Sequence, residues 1–245
     1  MSKGMGDLGT PIGAPNSTTP IAIDAPFTLC VVPFRLASGR LEVGTVRQSD
    51  DSITLPAGRP ADDEPLDEGA RRIINGHPGH GEEYLEQLYT FSPESGDDRL
   101  IVVSYIALFR EAACAQIAIP ELRWSSLDGL RLSREIDRAV LQYAVVRLRA
   151  KLGYTNIAFH LMPTTFTLTE LQQAYESVLQ HPVDKRNFRR RMMVPGTLED
   201  TGEKRREGSH RPAALYRFAS RDDQAAYLTP SWASERIDPL RDQGE

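Results

Sequence analysis

Residues 166–196, FTLTELQQAYESVLQHPVDKRNFRRRMMVPG, decide how the C-terminal half of this chain folds. Thr167-Leu168-Thr169-Glu170 is a capping box. The Thr167 hydroxyl can accept from the amide of Glu170 while the Glu170 carboxylate reaches back to the amide of Thr167. Phe166 and Leu171 flank the box as a hydrophobic staple. The helix started in this way carries Leu168, Leu171, Tyr175, Val178 and Leu179 on its inner side. It ends at His181-Pro182, because a residue that precedes proline is driven out of helical geometry. Asp184 is placed to cap a second helix over 185–194, and Pro195-Gly196 stops it. The connection between the two helices is about three residues, the length used in helix-turn-helix units. In the second helix Phe188 and Met192 point inward together, and Lys185, Arg186, Arg189 and Arg190 fall largely on the other side. Beyond it, 197–201 and 213–218 read as the strands of a hairpin around the basic loop KRREGSHRP (204–212). Helix, turn, basic helix and basic-tipped hairpin are the elements of a winged helix, in order.

The charge distribution gives this unit a partner. The whole chain has a net charge of −5, yet from Asp184 to Arg217 ten basic side chains stand against five acidic ones. A locally basic segment on an acidic protein points to a polyanion. Duplex DNA needs cations for its phosphates and a few side chains that reach base edges. Arginine pairs bidentately with guanine and asparagine with adenine. Arg186, Asn187, Arg189 and Arg190 offer both types on one helix. Lys185 and Arg191 lie beside them, with Thr169 on the preceding helix. Arg205, Arg206, His210 and Arg211 supply the hairpin with groups for phosphates or the minor groove. A solvated basic helix with no partner is the plain alternative. Its place on the second helix of a capped pair, with a basic hairpin behind it, favours double-stranded DNA.

Upstream, residues 133–152 form a helix with two apolar stripes. One is Ile136, Val140 and Tyr143; the other is Leu141, Val145, Leu148 and Leu152. Two stripes imply cover on more than one side, between domains or in a dimer contact. Further towards the N-terminus, FTLCVVPFRL (27–36) reads as a strand paired with 41–46 across a Ser38-Gly39 turn. Residues 50–69 are loop-rich, 66–74 suit a short helix, and GHPGHG (76–81) would stop it. A strand is expected to begin at Glu83 and run to Phe91. LIVVSYIALFR (100–110) is continuously apolar, as a strand buried on both faces is. Alternating strands and short helices through about residue 130 make this half a mixed α/β domain.

The stretches YTNIAFHLMPTTFTLTELQQAYE, PVDKRNFRRRM and LEDTGEKRREGSHRPAALYRF, all within residues 133–218, resemble the Nudix-related transcriptional regulators of the NrtR family. YLEQLYTFSP (84–93) and VVSYIAL (102–108) resemble the strands that follow the Nudix box in those regulators. The resemblance implies a Nudix-like mixed α/β sandwich followed by a winged helix-turn-helix domain. It also implies a homodimeric bacterial repressor on a palindromic operator, with ADP-ribose or another NAD-related nucleotide as effector. Gly58, Glu64, Arg72 and Gly79 stand at matching positions of the Nudix box. Ile73, Gly76 and His77 occupy places where the motif has glutamates, and Glu82 and Glu83 lie outside the spacing. Cleaving a diphosphate needs magnesium to neutralise its charge, and this helix lacks the oxygen ligands. A catalytically inactive sensor is therefore expected; a Nudix hydrolase acting on a nucleoside diphosphate derivative is the alternative.

A nucleotide effector needs cations for its phosphates and flat surfaces for its base. Arg47, Arg72 and Arg99 are the candidate cations, each of which could equally be a surface ion pair. Tyr89, Phe91 and Tyr105 are the candidate stacking surfaces, with core packing as the alternative. His77 and His80 lie in a Gly-Pro-His-Gly loop, and neither they nor the two cysteines, Cys30 and Cys114, show metal-ligand spacing. No metal or resident cofactor is expected. Two free thiols suit a reducing cytoplasm. No apolar run is long enough to span a membrane. The expected organisation is a flexible tail (1–20), a sensor domain (21–130), a linking or dimer helix (131–152), a winged helix (153–221) and a C-terminal tail (222–245).

Overall fold

The structure, a computed structural model, describes residues 27–75, 84–92, 101–117, 119–206 and 212–219. The expectations placed on Arg99, His77, His80, Gly76, Gly79, Glu82, Glu83, His210, Arg211 and the two tails lie outside these residues.

The first long hairpin is β1 (Phe27–Ala37) and β2 (Arg40–Arg47), antiparallel, with Phe34 opposite Val43 and Ala37 opposite Arg40. Ser38 and Gly39 both have positive φ, 50° and 74°, as a two-residue turn matched to the twist of the strands requires. Short strands β3 (Ile53–Thr54) and β4 (Ala57–Gly58) follow, then helix α1 (Leu66–Asn75). Next come β5 (Tyr84–Phe91), β6 (Ile101–Phe109), a 3-10 turn at Glu111–Gln116 and β7 (Leu122–Ser126). Along the sheet the order is β3-β2-β1-β6-β5, with β4 added to β1 and β7 to β2. Among the described residues only the β1–β6 pair is parallel, running from Phe27–Ile101 to Arg35–Phe109. The sheet is therefore mixed, with β6 buried near its middle as its apolar run requires.

Alternation along the two central strands separates two layers. Leu29, Val31, Val103, Tyr105, Ala107 and Phe109 face α1, where Ala70 and Ile74 are fully buried. Gly69 permits this close contact: a Cβ there would lie 2.8 Å from the Leu29 side chain and 3.0 Å from the Glu64 carboxylate, so that a neighbour would have to shift. On the other face Cys30, Val32, Phe34, Val102, Ile106 and Leu108 meet helix α2 (Glu135–Tyr154). Burial pushes the Cys30 thiol up, so it is a neutral core group.

Helix α2 departs from the two-stripe expectation. Val140, Ala144, Leu148 and Leu152 form one deeply buried stripe, and Ile136, Leu141 and Val145 pack along its margins. Tyr143 is instead turned outward, 40% exposed, against Tyr89 and Phe91 of β5. Two polar fasteners hold the helix. At its start the buried Asp137 carboxylate accepts from the Leu55 amide (3.1 Å) and from Arg134 (2.9 and 2.7 Å). Near its end Arg147, Lys151 and Tyr84 converge on Glu86 of β5. Burial opposes ionisation of Glu86, but these three donors outweigh it and hold the carboxyl below its usual range. Asp137→Ala strands the Leu55 amide, while Arg134 is exposed enough to be rehydrated. Its expected cost is about 2–3 kcal/mol, read from urea unfolding.

After α2 a 3-10 turn, Ile157–His160, leads to α3 (Leu168–Leu179), α4 (Lys185–Met192), β8 (Leu198–Arg205) and β9 (Ala213–Phe218). Helix α3 ends one residue before the expected His181-Pro182, because Gln180 turns left-handed at φ 61°. Helix α4 is shorter than 185–194: Met193 leaves helical geometry and both Met193 and Val194 are exposed. Lys204 and Arg205 belong to strand β8, paired with Ala214 and Ala213, and not to the loop. The two halves share one apolar core. Leu36 and Leu41 of the first hairpin, Leu148 and Leu152 of α2, and Leu171, Tyr175 and Phe188 belong to the same buried cluster. The amide of Leu41 donates to the Ser177 hydroxyl of α3 at 2.7 Å, so the β1–β2 hairpin is seated directly on the helix pair.

Candidate nucleic-acid interface

The capping box of α3 forms in full. The Glu170 amide donates to the Thr167 hydroxyl (3.2 Å) and the Thr167 amide to the Glu170 carboxylate (2.7 Å). Asp184 caps α4 by accepting from the Asn187 amide at 2.8 Å. The inner face of α4 is fixed by Phe188 and Met192, both buried, with the Phe188 ring edge-on to Tyr175 at 5.2 Å. Once that face is fixed, the helix has no freedom about its axis. Lys185, Arg186, Asn187, Arg189 and Arg190 all lie exposed on the outside, and Thr169 is exposed at the start of α3. The result is a short rigid rod with cations and one amide on its open surface, dimensions that suit a major groove.

The hairpin is bolted to the same unit. Phe166 and Tyr216 exchange backbone hydrogen bonds of 3.0 and 2.8 Å, which joins the strand ladder to the start of α3. Phe166 is fully buried against Phe218, with ring centres 5.1 Å apart. Lys204 and Arg206 are exposed on the hairpin.

Two expected DNA contacts are placed otherwise. Arg205 forms an ion pair with Glu170, the same carboxylate that closes the capping box. Burial works against ionisation of Glu170, yet the Thr167 amide and Arg205 together hold its carboxyl below the ordinary range. Arg205 is thus a strut between hairpin and α3. Arg191 turns inward and donates to the Gly153 carbonyl at the end of α2, at 2.7 Å. Burial lowers its pKa, with the nearby Tyr175 acting in the opposite sense.

The effector candidates do not converge. Tyr105 is buried beneath α1, and its phenol is pushed up by burial and then by Asp67. Tyr89 and Phe91 lie against α2 on the opposite face, 5.2 Å apart, with Tyr89 55% exposed. Core packing, the alternative, therefore describes Tyr105. Arg47 pairs with Asp51 at the surface (3.1 Å), and Arg72 grips Glu64 with bonds of 2.8 and 2.7 Å while also donating to the Arg59 carbonyl. Glu64 is drawn down to about 2 by the Arg72 hydrogen bonds and the Ala61 amide. Both arginines have the ion-pair role weighed above. Glu64 and Arg72 together brace the loop ahead of α1, and Ile73 packs into the apolar layer beside Gly58. The fasteners Asp137 and Glu86 gave little sequence signal: Arg134 and Tyr84 are near neighbours in the chain, but the Leu55 amide, Arg147 and Lys151 are remote.

A mixed sheet between helical layers, continued into a capped helix pair and hairpin, defines a Nudix-fold body carrying a C-terminal winged helix. Residues 158–218 match the NrtR DNA-binding winged helix domain. Over 207 residues the chain is 35% identical to the ADPR responsive transcriptional repressor NtrR of Acinetobacter baylyi, covering 80% of this chain and 82% of that one. NrtR of Shewanella oneidensis, in a crystal structure with a 27mer DNA, superposes with a TM-score of 0.69 at 30% identity, over 82% of this chain and 96% of that one. A MutT/nudix family protein from Enterococcus faecalis shares the fold at 19% identity, with a TM-score of 0.60, over 80% of this chain and 88% of that one. The chain belongs to the NrtR family of Nudix-related regulators.

Proposed function

We propose that this chain is a transcriptional repressor that binds a palindromic operator as a homodimer and releases or tightens its hold in response to ADP-ribose or a related nucleotide. The observation that carries this is the outer face of α4. Lys185, Arg186, Asn187, Arg189 and Arg190 are exposed together on a helix whose inner face is locked. The Acinetobacter relative is ADPR responsive, and the Shewanella relative was crystallised with a 27mer DNA. In this reading Thr169 and the exposed hairpin cations Lys204 and Arg206 meet the sugar-phosphate backbone. Of the effector candidates among the described residues, Tyr89 and Phe91 retain exposed aromatic surface for a base. The seat of the β1–β2 hairpin on α3 gives a ligand in the body a mechanical route to the reading helix. Any such ligand acts only through a difference in its affinity for two arrangements. The site of action is the cytoplasm, where a bacterial chromosome lies.

The body is proposed to bind without cleaving. Ile73, at one of the positions where the Nudix box supplies a glutamate, fills an apolar contact and offers no oxygen to a cation. A fluorescent duplex from the upstream region of the gene should bind, and added ADP-ribose should change its affinity. No AMP should form when the protein is incubated with ADP-ribose and magnesium. Stoichiometric or faster AMP release would establish the hydrolase instead. Failure of every upstream duplex to bind would remove the repressor.

A further inference from the structure

The last turn of an α-helix leaves carbonyls without amide partners and carries the negative end of the helix dipole. Two guanidinium groups meet such ends here. Arg149 of α2 donates through Nε to the Val178 carbonyl in the last turn of α3, at 2.9 Å. Arg191 of α4 donates through Nη2 to the Gly153 carbonyl in the last turn of α2, at 2.7 Å. Helix α4 is thereby tied to α2, and α2 to α3, by cations on helix C-termini. Arg191 follows two exposed arginines in an unbroken basic run, but it shares the inward side with Phe188 and Met192. A side chain seeking phosphate keeps its donors towards solvent. This one directs a donor into the protein, against a carbonyl of a different domain layer.

We infer that Arg191 is a positioning residue that sets the pose of α4 against the end of α2 and makes no contact with DNA. This rests on the DNA-binding reading above. It predicts a behaviour different from that of its neighbours. A cation that neutralises one phosphate contributes about 0.9 to the slope of log affinity against log salt. A cation that only orients the helix contributes nothing to that slope, although its loss lowers affinity.

Duplex affinity is measured across a salt series for the wild type, R189A and R191A, well below each melting temperature and with folded fractions matched by circular dichroism. R191A should bind about tenfold more weakly, as expected for loss of a charged hydrogen bond, with the wild-type slope. R189A is the control, with weaker binding and a shallower slope if it meets a phosphate. A slope lowered by about 0.9 in R191A, or wild-type affinity in R191A, overturns the inference. Should R191A not fold, R191K decides. Its ammonium is shorter in reach than the guanidinium, so a positioning role predicts weaker binding at the wild-type slope. A phosphate contact predicts near wild-type binding, and that result overturns the inference. No binding by the wild type would instead defeat the DNA-binding reading itself.

Discussion

Alanine at both Arg189 and Arg190 is expected to weaken operator binding by a factor on the order of 100 or more, since a good arginine contact to a base contributes about 1–3 kcal/mol. Both side chains are exposed on α4 and project from a helix pinned by Phe188 and Met192. Both project away from the fold, unlike Arg191 on Gly153 or Arg205 on Glu170. Thermal stability of the double variant should therefore remain within a degree or two of wild type, because exposed substitutions of this kind change stability by about 0.5 kcal/mol or less. The measurement is fluorescence anisotropy on a duplex at fixed salt, beside a melting curve. Undiminished binding would mean that α4 is not the reading helix. Lost binding with a collapsed melting temperature would mean that these arginines serve the fold.

The difference between Arg189, Arg190 and Arg191 also shows what the sequence made legible. The capping box, the Asp184 cap, the inward Phe188–Met192 pair and the Ser38-Gly39 turn are local, and each formed as their spacing requires. Arg191 could have been separated from its neighbours by the same reasoning. It lies three residues after Phe188 and next to Met192, on the side of the helix that turns inward. Arg205 could not: its partner Glu170 lies on another element, and only the closed hairpin brings them together. The separation of the aromatic effector candidates was hidden for a related reason. Alternation along β6 puts Tyr105 on one face, but nothing in the sequence says that α1 covers that face while α2 covers the face bearing Tyr89 and Phe91. The aromatic types were visible and their separation by the sheet was not. Likewise Tyr143 fits an apolar stripe by spacing, yet the buried track runs through Ala144, whose small side chain lets α2 approach the sheet.

The second large effect concerns the join between hairpin and helices. Phe166→Ala is expected to cost about 3–5 kcal/mol, the usual range for emptying a fully buried phenylalanine site. Phe166 has no exposure, stacks near Phe218, and carries the two backbone hydrogen bonds to Tyr216. Its neighbours are the first turn of α3 and the last strand of the hairpin, two elements that cannot both collapse into the space. For a chain of this length each kcal/mol lowers the melting temperature by about 2–4 °C, so a fall of roughly 10 °C is expected. Where that fall is seen is as informative as its size. Phe166 sits in the same buried cluster as Phe34, Leu41 and Leu148, which belong to the Nudix-fold body and its long helix. The cluster is continuous, and Leu41 is hydrogen-bonded to Ser177 across the junction. A core shared in this way couples the unfolding of both halves. Calorimetry should then show a single transition in the wild type, displaced as a whole in the variant. Two transitions, with only one displaced, would mean that the body and the winged helix are separately stable. A signal from a bound nucleotide would then have to cross a joint that can open.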